Sequence, residues 1–215
     1  MSDHSDTVWD EYQWERFLQQ QEKRTEKYME LLEKYLDHPQ RDEIIAREMN
    51  WSHLVEENQQ NWEDEVDAMF EQEMGKDEDE EGAENAYPFE SHPLYRMALD
   101  FSGEIGKIFD ALDTRVVEHP AANALQTGAT ITAAKLAAAL SDGDEIEDLG
   151  MGIAYLKRAL HAVNGALTAA ADIEEAKLLS PATLDHIRGM LFSIRDGIVS
   201  KTGECRAEFR RRHGR

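Results

Sequence analysis

The sequence predicts an all-α protein, an antiparallel four-helix bundle over residues 92–215 preceded by an acidic helical extension. Three observations carry this expectation. Apolar residues recur at 3-4 spacing in four successive segments after residue 91, the period that gathers side chains on one face of an α-helix. Pro and polar residues punctuate those segments where helices begin. Charge is also divided unevenly: residues 1–90 hold 28 Asp and Glu against 8 Lys and Arg, and the rest of the chain holds 17 against 15, so the first part carries nearly all of the net charge of -22.

A first helix is expected from about residue 9 to 36, with Trp14, Phe17, Tyr28, Leu31 and Tyr35 on a 3-4 repeat that Gln21 and Arg24 interrupt. Asp37-His38-Pro39 ends it, because a residue before proline is pushed out of helical geometry. A short helix over residues 41–50 follows, and Ser52 can cap a third that carries Val55, Trp62, Val66, Met69 and Phe70. Asp77 to Glu81 are five consecutive acids, and like charges in such a run repel one another and stay solvated. The expected organisation is therefore an acidic helical region (1–74), an acidic linker (75–91) and a bundle with a basic tail (92–215).

In the first bundle helix Leu94, Ala98, Phe101, Ile105, Ile108 and Leu112 form the apolar stripe, and His119-Pro120 is expected to close it. The second, over residues 121–140, carries Ala122, Leu125, Ala129, Thr132, Leu136 and Leu140. Its alanines at 133, 134, 137, 138 and 139 make it thin, so a neighbouring helix can approach closely. Asp144 is expected to cap the third, whose stripe runs Ile146, Leu149, Ile153, Leu156, Leu160, Val163 and Leu167. Ser180-Pro181 opens the fourth, with Leu184, Ile187, Leu191, Ile194 and Ile198.

Composition narrows the function. Strong acidity opposes phosphate backbones, which disfavours nucleic acid as a partner. No window approaches the roughly 18–20 apolar residues that span a bilayer, so no membrane role is expected. A single cysteine, Cys205, fits a reducing compartment, and the cytoplasm is the expected location.

No catalytic, cofactor-binding or metal-ligating residues are indicated. Di-metal bundles need Glu-x-x-His, and none of the eight histidines has Glu three residues before it. His53 with Glu56 or Glu57 has helical ligand spacing, but no second histidine lies nearby in sequence and a solvated acidic face is the better explanation. His161 with Asn164 and Asp185 with His186 read as surface positions rather than acid/base pairs, and Cys205 has no histidine near it in sequence. Partner contacts are expected instead at Trp9, Trp14, Phe17, Trp51 and Trp62, since Trp and aromatic residues anchor interfaces, and at Arg210, Arg211 and Arg212 of the basic run. The alternative for the aromatic residues is packing on the bundle of their own chain.

Three segments, LQTGATITAAKLAAAL, MGIAYLKRALHAVNGAL and LLSPATLDHIRGMLFSIRDGIV, resemble the four-helix bundle proteins encoded in 23S rRNA intervening sequences and the related accessory proteins of diversity-generating retroelements, over residues 92–205. The family's second helix carries paired arginines, then Ser, Asn and a Glu-Gly ending, where this chain has Gln126, Thr127, Ile131, Lys135 and Ala138-Ala139. The resemblance implies a bundle that forms ring-like oligomers and acts by binding. Two functions follow as expectations: a non-enzymatic helical scaffold that self-associates and binds a protein partner, or an acidic nucleic-acid mimic that sequesters a basic protein.

Overall fold

Every regular element among the described residues of the computed structural model (8–51, 87–141 and 148–214) is helical. In chain order these are α1 (Glu11–Lys34), α2 (Arg41–Glu48), α3 (Pro88–Ser91), α4 (Pro93–Asp110), α5 (Thr114–Val117), α6 (Pro120–Ala139), α7 (Leu149–Glu175) and α8 (Pro181–His213). The chain divides into two units, one of Met1–Glu15 with Ala86–Arg215 and the other of Arg16–Asn85.

In the smaller unit, α2 buries Ile45 and Ala46. Its end is a Schellman turn: Asn50 takes a left-handed φ of 59° and the Trp51 N–H donates to the Ala46 carbonyl at 2.7 Å. That turn sets the Trp51 ring 5.8 Å from Tyr28, with the Arg24 guanidinium 5.9 Å from its centre. Lys27 donates to the Glu48 carbonyl at 2.6 Å. No residue of α1 is buried, which fits its narrow apolar stripe. The third helix expected after Ser52, with Trp62, lies outside the described residues, as does 75–86 of the expected linker. The end of that span forms α3, and Phe89 packs edge-on against Tyr95 at 4.9 Å.

The larger unit begins its helices with one repeated device. His92-Pro93 and His119-Pro120 open α4 and α6, and in each the His Nδ1 accepts the N–H two residues on, at 3.2 Å. Proline at N1 gives up an N–H the helix could not have used and holds φ at a helical value. Ser180 caps α8 ahead of Pro181, accepting from Thr183 at 3.2 Å.

Three expected boundaries are corrected. The first helix of this unit ends at Asp110 instead of running to His119-Pro120, because the Asp113 carboxylate accepts the Arg115 N–H at 2.9 Å and starts the separate turn α5. Phe109 is consequently buried and Leu112 only half-buried. Asp148, in place of Asp144, caps α7 by accepting the Met151 N–H at 3.1 Å; residues 142–147 lie outside the described residues. Arg206, Arg210, Arg211 and Arg212 lie within α8 rather than in a tail, since the seam continues beyond Ile198 through Thr202, Cys205 and Phe209.

α4 packs on α6 and α8, α6 on α7, and α7 on α8. Leu125, Leu136 and Leu140 of the α6 segment share one core with Leu156 and Ile173 of α7 and with Ile187, Leu191 and Ile198 of α8. Each such side chain contributes about 1.5–3 kcal/mol by leaving water. The alanine-rich face of α6 approaches α7 closely: a Cβ on Gly128 would stand 3.0 Å from the Ala166 Cβ and 3.2 Å from the Ala162 carbonyl oxygen. Further along, Lys135 lies 5.8 Å from the Tyr155 ring. Between α4 and α8, Leu94 fills the space at Gly197, and His186 meets Glu104 at 2.6 Å. Arg188 of α8 pairs with Glu174 near the end of α7. Among the described residues two threonines are buried, and each satisfies its hydroxyl within its own helix, Thr132 to the Gly128 carbonyl and Thr202 to the Ile198 carbonyl, each at 2.7 Å.

Candidate functional site

The start of α1 is built by a capping box. Asp10 Oδ1 accepts the N–H groups of Tyr12 and Gln13 at 3.0 and 2.9 Å, and Gln13 Oε1 accepts the Asp10 N–H at 3.0 Å. This reciprocal pair sets the helix phase, so that Glu11, Trp14 and Glu15, at i, i+3 and i+4, share one face. Within the larger unit that face meets α7 and α8.

Two glutamates make the polar contact. Glu11 accepts a two-pronged bond from Arg206, with Nη2 at 2.8 Å and Nε at 3.2 Å, and lies 3.8 Å from the Lys157 ammonium. Glu15 accepts a second fork from Arg158, with Nε at 3.1 Å and Nη2 at 3.2 Å. Bidentate Arg–carboxylate geometry fixes direction as well as distance. The Arg158 and Glu15 side chains are 13% and 24% exposed, which lifts that fork above an ordinary surface pair, whereas Arg206 keeps 44% exposure against Glu11 at 13%. The hydrogen bond to Glu11 raises the Arg206 pKa above its usual value. Lys157 also lies 4.9 Å from the Tyr12 ring, a cation–π contact.

The apolar part of the contact surrounds Gly150, at the start of α7. A Cβ on Gly150 would stand 2.1 Å from the Trp9 carbonyl oxygen and 3.0 Å from Trp14 Cδ1, so this approach requires glycine. The Trp9 and Trp14 rings meet edge-on at 5.0 Å. Trp14 is half-buried and Trp9 keeps 40% of its surface exposed. Carboxylates and indoles of one short helical segment thus pack against cations and a glycine notch on two other helices of the same chain, the arrangement given above as the alternative for the aromatic residues.

The structure brings together only part of the residue set expected from sequence. Trp9 and Trp14 sit at this contact. Phe17, half-buried, and Trp51, packed on Tyr28, belong to the other unit, and Trp62 lies outside the described residues. Arg210 is exposed one turn beyond Arg206. Arg211 and Arg212 reach back to Glu208 in their own helix, with Nε–Oε distances of 2.7 and 2.6 Å. Hydrogen bonds from Arg211 and then Arg212 lower the Glu208 pKa to about 2.

Sequence reasoning passed over Glu11, Glu15, Gly150, Lys157 and Arg158, and it read Arg206 only as one residue of the C-terminal basic run. The i, i+4 spacing of Glu11 and Glu15 between tryptophans was a usable signal for one side of the contact. Nothing local paired Arg158 with Glu15 or Arg206 with Glu11, which lie 143 and 195 residues apart.

The Cys205 thiol is buried, and desolvation raises its pKa above the ordinary thiol value. Among the described residues no group of three His, Cys, Asp or Glu converges as metal ligands. No described helix is long and apolar enough to cross a membrane. No family model, curated protein or solved structure matches this chain.

Proposed function

We propose that the protein is a non-enzymatic helical scaffold of the cytoplasm, which self-associates and binds a protein partner through its acidic aromatic N-terminal helices. In this reading α4, α6, α7 and α8 form an antiparallel four-helix bundle. Contacts that run in opposite order along neighbouring helices support that arrangement: Gly128 with Ala166 and Lys135 with Tyr155 between α6 and α7, then His186 with Glu104 and Gly197 with Leu94 between α8 and α4. Residues 92–205 would then be the counterpart of the intervening-sequence bundle proteins, and ring-like assembly is part of the reading.

The observation that carries the binding function is the contact of residues 9–15 with α7 and α8. An acidic, Trp-bearing helix start from this chain recognises a helical face through paired forks and a glycine notch. Trp and Arg are the residues that concentrate binding energy at interfaces. Light scattering on the full chain should give a mass above that of a monomer, and affinity capture should retain a discrete protein. A strict monomer that retains nothing ends this reading.

The net charge carried by residues 1–90 supports a second reading, in which the acidic helices imitate nucleic acid and occupy the groove of a strongly basic protein. Capture would then weaken steeply with added salt. Retention unchanged at high salt rules mimicry out.

A further inference from the structure

We propose that the seat formed by Gly150, Lys157, Arg158 and Arg206 is filled in trans, by residues 9–15 of a second copy of this chain. The inference rests on the self-association proposed above and names its contact. Three observations support it. The seat is chemically specific: two cations from α7 and one from α8 meet Glu11 and Glu15, and the notch at Gly150 accepts the Trp9 backbone. An occupant must therefore present two carboxylates one helical turn apart beside Trp, as residues 9–15 of every copy do.

Connectivity leaves the source of the occupant open. The docked segment is separated from the core carrying its seat by Arg16–Asn85, which forms a unit of its own. Exchange of an identical segment between two copies keeps every contact at the seat, whichever copy supplies residues 9–15. A second copy then competes as protein concentration rises.

The docked segment is also only partly enclosed. Trp9 and Tyr12 stay 40% and 63% exposed, and α1 buries no residue along its 24-residue length. Exchange between copies therefore disrupts little of the core.

Two charge-reversed proteins test this: a seat variant carrying Lys157→Glu, Arg158→Glu and Arg206→Glu, and a segment variant carrying Glu11→Lys and Glu15→Lys. Circular dichroism establishes that each keeps its helices, and sedimentation of the full chains reads their mass. Each variant alone should sediment as one chain of 24.5 kDa at concentrations where the unsubstituted protein associates. Mixing them restores complementary charge only across copies, and should return a one-to-one complex of about twice that mass. A chain carrying all five substitutions should associate with itself again. If the unsubstituted protein associates and neither variant changes its mass, exchange is overturned while self-association stands. Loss of association in both variants without recovery on mixing also overturns exchange. A protein that stays monomeric throughout, mixture included, overturns both.

Discussion

The carbonyl oxygen of Trp9 occupies the place where a side chain on residue 150 would begin: a Cβ built on Gly150 falls 2.1 Å from it. Glycine normally weakens a helix by about 1 kcal/mol relative to alanine. Here its missing side chain is what lets the N-terminal segment lie against α7. Gly150→Ala should therefore gain nothing from its better helix propensity. It should release residues 9–15, seen as a red shift of tryptophan emission and faster proteolysis near Glu15. Gly165 is the control, since a Cβ there meets nothing within 4 Å; Gly165→Ala should raise stability by about 1 kcal/mol in thermal unfolding.

The Glu15–Arg158 fork has side chains 24% and 13% exposed, between a surface and a buried pair. A double-mutant cycle with Glu15→Ala and Arg158→Ala should give a coupling of about 1–2 kcal/mol, above the ~0–1 kcal/mol of exposed pairs and below a fully buried one. Denaturant unfolding at low and high ionic strength measures it. A coupling within error of zero at low salt would mean that the fork does not hold the segment.

His119 caps α6 with a ring nitrogen where Ser, Thr, Asp or Asn is more usual. His119→Ala should cost about 1 kcal/mol, the ordinary penalty for removing an N-cap acceptor. His119→Ser should recover most of the loss, because the hydroxyl can accept the same Ala121 N–H. The matching pair at His92 should behave alike toward Leu94. Equal stability of the Ala and Ser variants in chemical denaturation would contradict the capping role.

Glu208 is held down from an ordinary value of 4.5 to about 2 by hydrogen bonds from Arg211, the larger effect, and Arg212. A carboxyl lowered on folding stabilises the native state above its unfolded value. That contribution is lost as pH falls from about 4.5 toward about 2. The Glu208 side chain is 28% exposed and its partners lie within about one turn of the same helix, so the observable is its titration: carboxyl NMR should place the midpoint near 2. Arg211→Ala and Arg212→Ala should each move it back toward 4.5, Arg211→Ala further.

Lys177 follows the end of α7 in a left-handed conformation, φ 54°, while the Leu178 N–H closes onto the Ile173 carbonyl at 3.1 Å. A side chain in that region costs about 1–2 kcal/mol that glycine avoids. Lys177→Gly should raise the unfolding midpoint by a few degrees in calorimetry. An unchanged or lower midpoint would show that the stem of Lys177 contributes packing that outweighs the strain.

Much of the helical design was legible along the chain. The 3-4 stripes named Leu125, Leu136, Ile187, Leu191 and Ile198 as core positions, and all five are buried. Ser180-Pro181 marked the start of α8 because a hydroxyl and a fixed φ act within one turn. Boundary errors came where two local signals competed. His119-Pro120 looks like a stop when read from upstream and acts as a start, while Asp113 supplies its own cap in between.

A period in a sequence states which face of a helix is apolar and where its ends are capped, because those effects act over three or four residues. It carries no record of which distant group will face a given charge. The meetings of Glu11 with Arg206, Glu15 with Arg158 and Trp9 with Gly150 were decided by tertiary packing alone. Ion pairs and backbone notches act over a few ångströms of space, and they connect residues that nothing along the chain connects.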